Sequence, residues 1–360
     1  MRKININTNR FSKSFLKNCL CLSSLLFIAL HGYSLVAARA AAELPARLTD
    51  AEFWSLSQNS SEPGGYFRQA DITNFTSNEM LFQYVIPDLT ARVKQGSVYL
   101  GVGPEQNYTY MTALRPSMAI IFDIRRGNLD LQLMYKALFE LSKDRAEFVS
   151  LLFAKPRPDG LTTTATASQL FGAFGRVESS KALYDRTLAA MKVHLTKTHS
   201  LPVPQRDLDG IETVYQTFYQ SGFYLRPSPS YADLMTATDA AGKSRSYLAT
   251  EESFLWLKDL QSRNLVVPVV GDFSGPKALR AVGTYLKSRR ATVGAFYLSN
   301  VEQYLTPSTV WNAFCANVAT MPLDGSSTFI RSSSGGGGGG RGVGFVNSLG
   351  AMATEVSACR

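Results

Sequence analysis

An α/β fold follows from the sequence on three observations. Residues 98–100, 118–123, 265–270 and 291–298 are short apolar runs with the β-branched and aromatic content of buried strands. Amphipathic helical patterns alternate with them over residues 107–114, 128–153, 251–263 and 276–287. Glycine or short polar residues end each strand pattern. Strands alternating with helices require crossover connections, which yield a mostly parallel sheet covered by helices on both faces, in three layers. At 360 residues and 45% apolar content, the chain can bury a core of that size.

From the N-terminus, residues 1–40 have the make-up of an export signal. Basic residues up to Lys17 precede an apolar stretch, residues 19–30, and Ala38-Arg39-Ala40 offers a cleavage site. The apolar stretch is short for a membrane span, so none is expected after removal of the leader. A periplasmic or secreted protein is the expectation; a true start downstream of the leader would make it cytoplasmic. Residues 41–70 are polar and punctuated by Pro and Gly, as in a surface lead-in. Residues 73–79, Thr-Asn-Phe-Thr-Ser-Asn-Glu, supply N-cap residues for a helix carrying Leu81, Tyr84 and Val85.

The main domain is expected over residues 71–331. Within it, residues 159–250 hold helical runs at 182–195 and 208–219 but no buried-strand pattern, and are expected to form an inserted helical cap closing over the site. Residues 326–330 form a late edge strand, with antiparallel pairing as one option. Residues 332–360, with six consecutive glycines at 335–340, are expected to be a disordered tail. Cys315 and Cys359 remain after the leader and make no disulfide framework, and Cys315 is expected as a small buried hydrophobe.

The formal charge of +9 is unevenly placed. Residues 1–40 carry six Lys or Arg and no acid, so the rest has a net charge of only +3. No basic stripe interleaved with aromatics is present, which turns the chain away from nucleic-acid binding.

Chemistry concentrates in residues 97–107, Ser-Val-Tyr-Leu-Gly-Val-Gly-Pro-Glu-Gln-Asn. Gly101 and Gly103 lack a Cβ, so the backbone can turn tightly between strand and helix and a ligand can approach it. Asp123 closes the next strand, 22 residues after Gly101, where nucleotide-binding α/β folds hold a ribose. Gln106 stands where a dinucleotide fingerprint needs its third glycine, and Glu105 at the helix N-terminus would repel a pyrophosphate. Both turn the site away from NAD, FAD and ATP. Each residue has a structural alternative: Asp123 pairing with Arg125 or Arg126, Asp272 capping the helix near Pro276, Asn300 serving a turn, Glu302 and Tyr304 as ordinary first-turn residues. His194 and His199 lie in the insert without a matching carboxylate, so no metal site is legible, nor is a Ser/His/Asp triad.

Five segments, Asn74-Phe-Thr-Ser-Asn-Glu79, Tyr99-Leu-Gly-Val-Gly-Pro-Glu-Gln-Asn107, Phe122-Asp-Ile-Arg-Arg-Gly-Asn128, Val270-Gly-Asp-Phe273 and Phe296-Tyr-Leu-Ser-Asn-Val-Glu-Gln-Tyr304, carry a resemblance. Together they resemble a largely uncharacterised bacterial family similar to class I S-adenosylmethionine-dependent methyltransferases, with a Rossmann-like fold. The resemblance implies that the turn at Gly101 and Gly103 faces the methionine part of the cofactor. It implies that Asp123 takes the ribose hydroxyls, that Asp272 meets the adenine amino group, and that Phe273 lies against the ring. Ser299 and Asn300 would hold substrate or catalytic groups. Tyr99 stands where the acid that meets the cofactor's amino group is usual, leaving that role to Glu79 or Glu105.

Two functions are therefore expected. One is an S-adenosylmethionine-binding, methyltransferase-like protein acting on an unknown, small-molecule substrate. The other is an exported, non-enzymatic binding protein for a nucleoside or small molecule that keeps the fold.

Overall fold

The computed structural model describes residues 43–65, 74–226, 228–305, 308–334 and 345–359. The expected export signal, the Thr73 cap and the glycine run 335–340 lie outside them. The first element among the described residues is α1 (Asp50–Ser60), held by a capping box in which Thr49 Oγ1 accepts from the Glu52 N–H and Glu52 Oε2 accepts from the Thr49 N–H, at 3.2 and 2.8 Å. Its Phe53 is buried, and Ser57 Oγ donates to the Pro268 carbonyl at 2.6 Å. The surface lead-in expected over 41–70 is thereby corrected: part of it is a helix docked on the sheet.

A 3-10 turn (Phe82–Val85) runs into α2 (Ile86–Arg92), with Pro87 in the first turn where a missing N–H costs nothing. Then come β1 (Val98–Val102), α3 (Gln106–Leu114), β2 (Met118–Asp123) and α4 (Arg126–Leu141). The pattern expected as one helix over 128–153 is two. Asp144 restarts the backbone as the N-cap of α5 (Arg145–Leu152), accepting from the Glu147 N–H at 2.8 Å.

The insert contains α6 (Ala167–Phe174), α7 (Lys181–Val193) continuing into a π-helical turn (His194–Thr198), α8 (Gln205–Ser221) and α9 (Tyr231–Thr236). After it follow α10 (Glu251–Ser262), β3 (Val266–Val270), α11 (Ala278–Ser288) and β4 (Val293–Ser299). A 3-10 turn (Val301–Tyr304), α12 (Ser308–Val318), β5 (Thr328–Ser334), β6 (Phe345–Ala351) and α13 (Met352–Ala358) complete the order.

The six strands form one sheet in the order β3-β2-β1-β4-β5-β6. All pairs are parallel except β5 with β6. Every residue of β2 and β3 is buried, as a parallel strand covered on both faces requires. Helices flank the sheet, so the predicted three-layer, Rossmann-like α/β architecture is present. The late strand β5 is not an edge: it lies parallel to β4, and β6 is the antiparallel edge. The disordered tail expected over 332–360 is corrected accordingly, since β6 and α13 follow and Cys359 is bonded to Cys315.

The insert is helical, as expected, and belongs to the same unit as the sheet. It packs along α4, where α8 comes so close that a Cβ at Gly210 would lie 2.1 Å from Asp130 Oδ2. Both its ends are pinned by the buried guanidinium of Arg145, which donates to the carbonyls of Leu248 and Ala249 at 2.8 and 2.9 Å and to those of Thr163, at 3.1 Å, and Ala165. Among the described residues no helix is long and apolar enough to cross a membrane.

Candidate functional site

Strand order reverses between β1 and β4, and in open α/β sheets ligands bind outside the carboxyl ends of the strands at such a point. A cleft of about 280 Å³ lies there, lined by Gly103, Asp123, Asp272, Phe273, Ser299 and Asn300, along with Arg125 and Tyr304. Six residues singled out from the sequence thus share one cavity. Gly101, Glu79 and Glu105 are not among its lining.

The glycine turn owes its shape to two different constraints. Gly103 has φ +78°, a left-handed conformation that disfavours side chains. Gly101 lies inside β1, and a Cβ on it would meet Asn107 Oδ1 at 1.8 Å. That asparagine braces the turn: its Nδ2 donates to the carbonyls of Val102 and Pro104 at 3.0 and 2.7 Å, while its Oδ1 accepts from the Tyr99 hydroxyl at 2.8 Å. Gly101 makes room for this brace rather than for a ligand. The same bond accounts for Tyr99 where an acid was the expected residue.

Asp123 ends β2 and is buried. Arg125 grips both its oxygens, Nε to Oδ1 at 2.9 Å and Nη2 to Oδ2 at 2.7 Å, and its backbone N–H adds a third bond to Oδ1 at 2.9 Å. The pairing alternative is therefore realised, inside the cleft. Asp272 accepts on Oδ1 from the N–H and the hydroxyl of Ser274, both at 2.8 Å, and so folds its own loop. It does not cap α11. Glu62, from the N-terminal segment, does so: Oε1 accepts from the N–H groups of Lys277 and Ala278 at 2.8 and 2.9 Å, and Oε2 from that of Asp272 at 3.0 Å. Phe273 meets Phe296 edge-on with centroids 5.0 Å apart, fixing the wall it forms.

Glu79 is a buried acceptor hub. Its Oε1 takes the Tyr297 and Ser299 hydroxyls at 2.9 and 2.5 Å, and its Oε2 takes Gln106 Nε2 and Asn347 Nδ2, both at 2.8 Å. The carboxylate is spent on holding the cleft wall, which corrects the expectation that it meets a ligand amino group. Ser299, held by it, adopts φ +51°, a strained conformation for a non-glycine residue at a strand end. Asn300 follows and leads into the 3-10 turn, where Glu302 bonds Arg331 rather than the cleft.

Glu105 is also corrected. It is fully buried and turned toward the segment before α2, accepting from the Thr76 hydroxyl and the Ser77 N–H at 2.9 and 3.1 Å. Burial pushes its carboxyl up to about 7 in spite of these donors, and Oε2 has no partner. It does not line the cleft, and its ionisation is shifted up to about 7, so the repulsion of phosphate expected from Glu105 is weakened.

None of the described residues within 159–250 lines the cleft. The expected closing of the insert over the site is corrected: the insert covers α4. His194 and His199 do have a carboxylate, Glu140 of α4, which sequence spacing could not reveal across 54 and 59 positions.

Residues 74–346, the span that builds the cleft, match the family described as "Domain of unknown function (DUF7790)". The chain belongs to this family. No curated protein matches the chain. The family span starts at Asn74, so it omits Glu62 and α1, although both brace the strand and helix that flank the cleft.

Proposed function

We propose that the cleft binds an adenosine-type nucleoside such as S-adenosylmethionine, and that the chain is a methyltransferase-like protein. The observation that carries this reading is the convergence of Asp123, the last residue of β2, and Asp272, two residues past the adjacent β3, on one cleft with Phe273 and the Gly103 turn. In this reading Asp123, held by Arg125, takes the ribose hydroxyls, and Asp272 and Phe273 meet the base. A ligand without phosphates suits the turn. The Gly103 N–H already donates to the Phe122 carbonyl at 3.0 Å and Pro104 has no N–H, so neither position next to the cleft offers a donor to a pyrophosphate. Methyl transfer needs chiefly alignment of donor and acceptor, and Ser299, held by Glu79, would supply a fixed contact for the substrate.

Calorimetry with S-adenosylmethionine and S-adenosylhomocysteine tests the reading. Saturable binding that Asp123→Ala abolishes is expected; no heat from either ligand on folded protein overturns it. The Cys315–Cys359 bond favours the second reading, an exported, non-enzymatic binding protein with this fold, because disulfides persist in oxidising compartments. N-terminal sequencing of the native protein separates the two: a mature end at Ala41 in a periplasmic fraction supports the second.

A further inference from the structure

We propose that Glu140, His194 and His199 form a zinc site, separate from the cleft. Glu140 stands at the end of α4 remote from the cleft, about 21 Å along the helix from Arg126. Its Oε2 lies 2.6 Å from His194 Nε2 and 2.5 Å from His199 Nε2. Three donor atoms from two segments therefore converge on one point: His194 opens the π-helical turn and His199 caps its end, its N–H donating to the His194 carbonyl at 3.0 Å. Two imidazoles and a carboxylate are a donor set that suits zinc.

The second nitrogen of His199 supports the assignment. Its Nδ1 lies 2.7 Å from Asp50 Oδ1, at the start of α1, and Asn264 Nδ2 donates to the same oxygen at 2.8 Å. A carboxylate behind an imidazole fixes its ring and tautomer, an arrangement that metal-binding histidines commonly have. With Nδ1–H directed at Asp50, the lone pair of Nε2 faces Glu140 Oε2, and two lone pairs at 2.5 Å require a positive charge between them. On the other side, Lys136 Nζ donates to Glu140 Oε1 at 2.6 Å and to the Gln261 carbonyl at 2.9 Å, leaving Oε2 for the histidines.

Ligand atoms around a tetrahedral zinc lie about 3.3 Å apart, so seating the ion moves each Nε2 back by roughly 0.8 Å, within the reach of side-chain rotation. The two histidine side chains are 16% and 14% exposed, which gives an ion a path in and leaves a coordination position for water. An ion here would link α4, the π-helical turn of the insert and, through Asp50, α1.

The test uses the full chain without an affinity tag, with accessible thiols alkylated and metal removed by chelator. It is titrated with Zn²⁺ by calorimetry and with Co²⁺ by visible absorption. One equivalent of Zn²⁺ and a Co²⁺ spectrum of low-symmetry coordination are expected. His194→Ala and His199→Ala should each weaken binding at least about 100-fold, and Asp50→Asn by about 10- to 100-fold. Glu140→Gln, which keeps the side chain's size and one acceptor for Lys136 but removes the carboxylate ligand, should weaken binding as well, and each variant's fold is checked by circular dichroism. Folded wild-type protein that takes up no zinc overturns the proposal and leaves the cluster as an ion-pair network. A stoichiometry and Co²⁺ spectrum unchanged in the double histidine variant overturn it equally.

Discussion

At the scale of single residues, Glu105 and Asp130 are acids whose protons the fold holds to unusually high pH. Burial raises Glu105 to about 7, and burial with the charge of Asp207 raises Asp130 to about 8. Each has one buried oxygen without a partner, which agrees with a protonated carboxyl. The sign of the effect on stability follows from linkage. Below the ordinary carboxyl range both folded and unfolded forms hold the proton, and the contribution is fully present. As pH rises from 4.5 to about 7, the unfolded chain releases the Glu105 proton while the folded chain keeps it, so stability falls with rising pH. Glu105→Gln should flatten that decline by up to about 3 kcal/mol, read by urea unfolding at intervals from pH 4.5 to 8. Parallel pH profiles for the variant and the wild type would contradict it. In the sequence Glu105 looked like a ligand-facing residue because it follows the glycine turn. Position next to a site does not determine direction, and the Thr76 and Ser77 donors that turn it away lie 28 or more residues earlier.

At the scale of elements, α11 shows how a long-range cap escapes sequence reading. Its pattern, Leu279, Val282 and Leu286 on one face, was legible from spacing, and all three are buried. Its cap was not, because Glu62 reaches it across 215 positions. Glu62→Ala should cost about 1–2 kcal/mol by leaving the first-turn N–H groups of α11 without an acceptor, measured as a shift in the unfolding midpoint at constant slope. The same change frees the Asp272 N–H, so the S-adenosylmethionine binding proposed above should weaken along with stability. Strands were the most legible elements, since β2 covers the predicted residues and β3 and β4 differ only at their ends. The split between α4 and α5 was missed because Ser142, Lys143 and Asp144 interrupt the apolar period for less than one turn.

At the scale of the whole molecule, the C-terminal segment departs most from expectation. Its glycines and serines suggested a chain without a core, yet Met352 and Val356 are buried and Cys359 is bonded to Cys315 of α12. A short apolar pattern after a polar run carries too little signal to declare a strand and helix that depend on β5 for pairing. The bond closes a loop of 44 residues, which loop-closure entropy values at about 4 kcal/mol. Cys315→Ser should lower stability by an amount in the range of about 2–5 kcal/mol, and the wild type under reductant should fall to the same level. Equal unfolding midpoints with and without reductant would contradict it.

The Glu79 hub also has a consequence for the order in which the molecule is completed. Its donors come from positions 106, 297, 299 and 347, so an acid near the start of the domain gains its fourth donor only when β6 arrives. During synthesis, which delivers the chain from its N-terminus, the cleft wall carrying Ser299 cannot gain its last tie through Glu79 until β6 has emerged. A chain truncated before Asn347 would then keep β1 to β5 but lack that donor, so the state of the cleft wall would report whether β6 has paired.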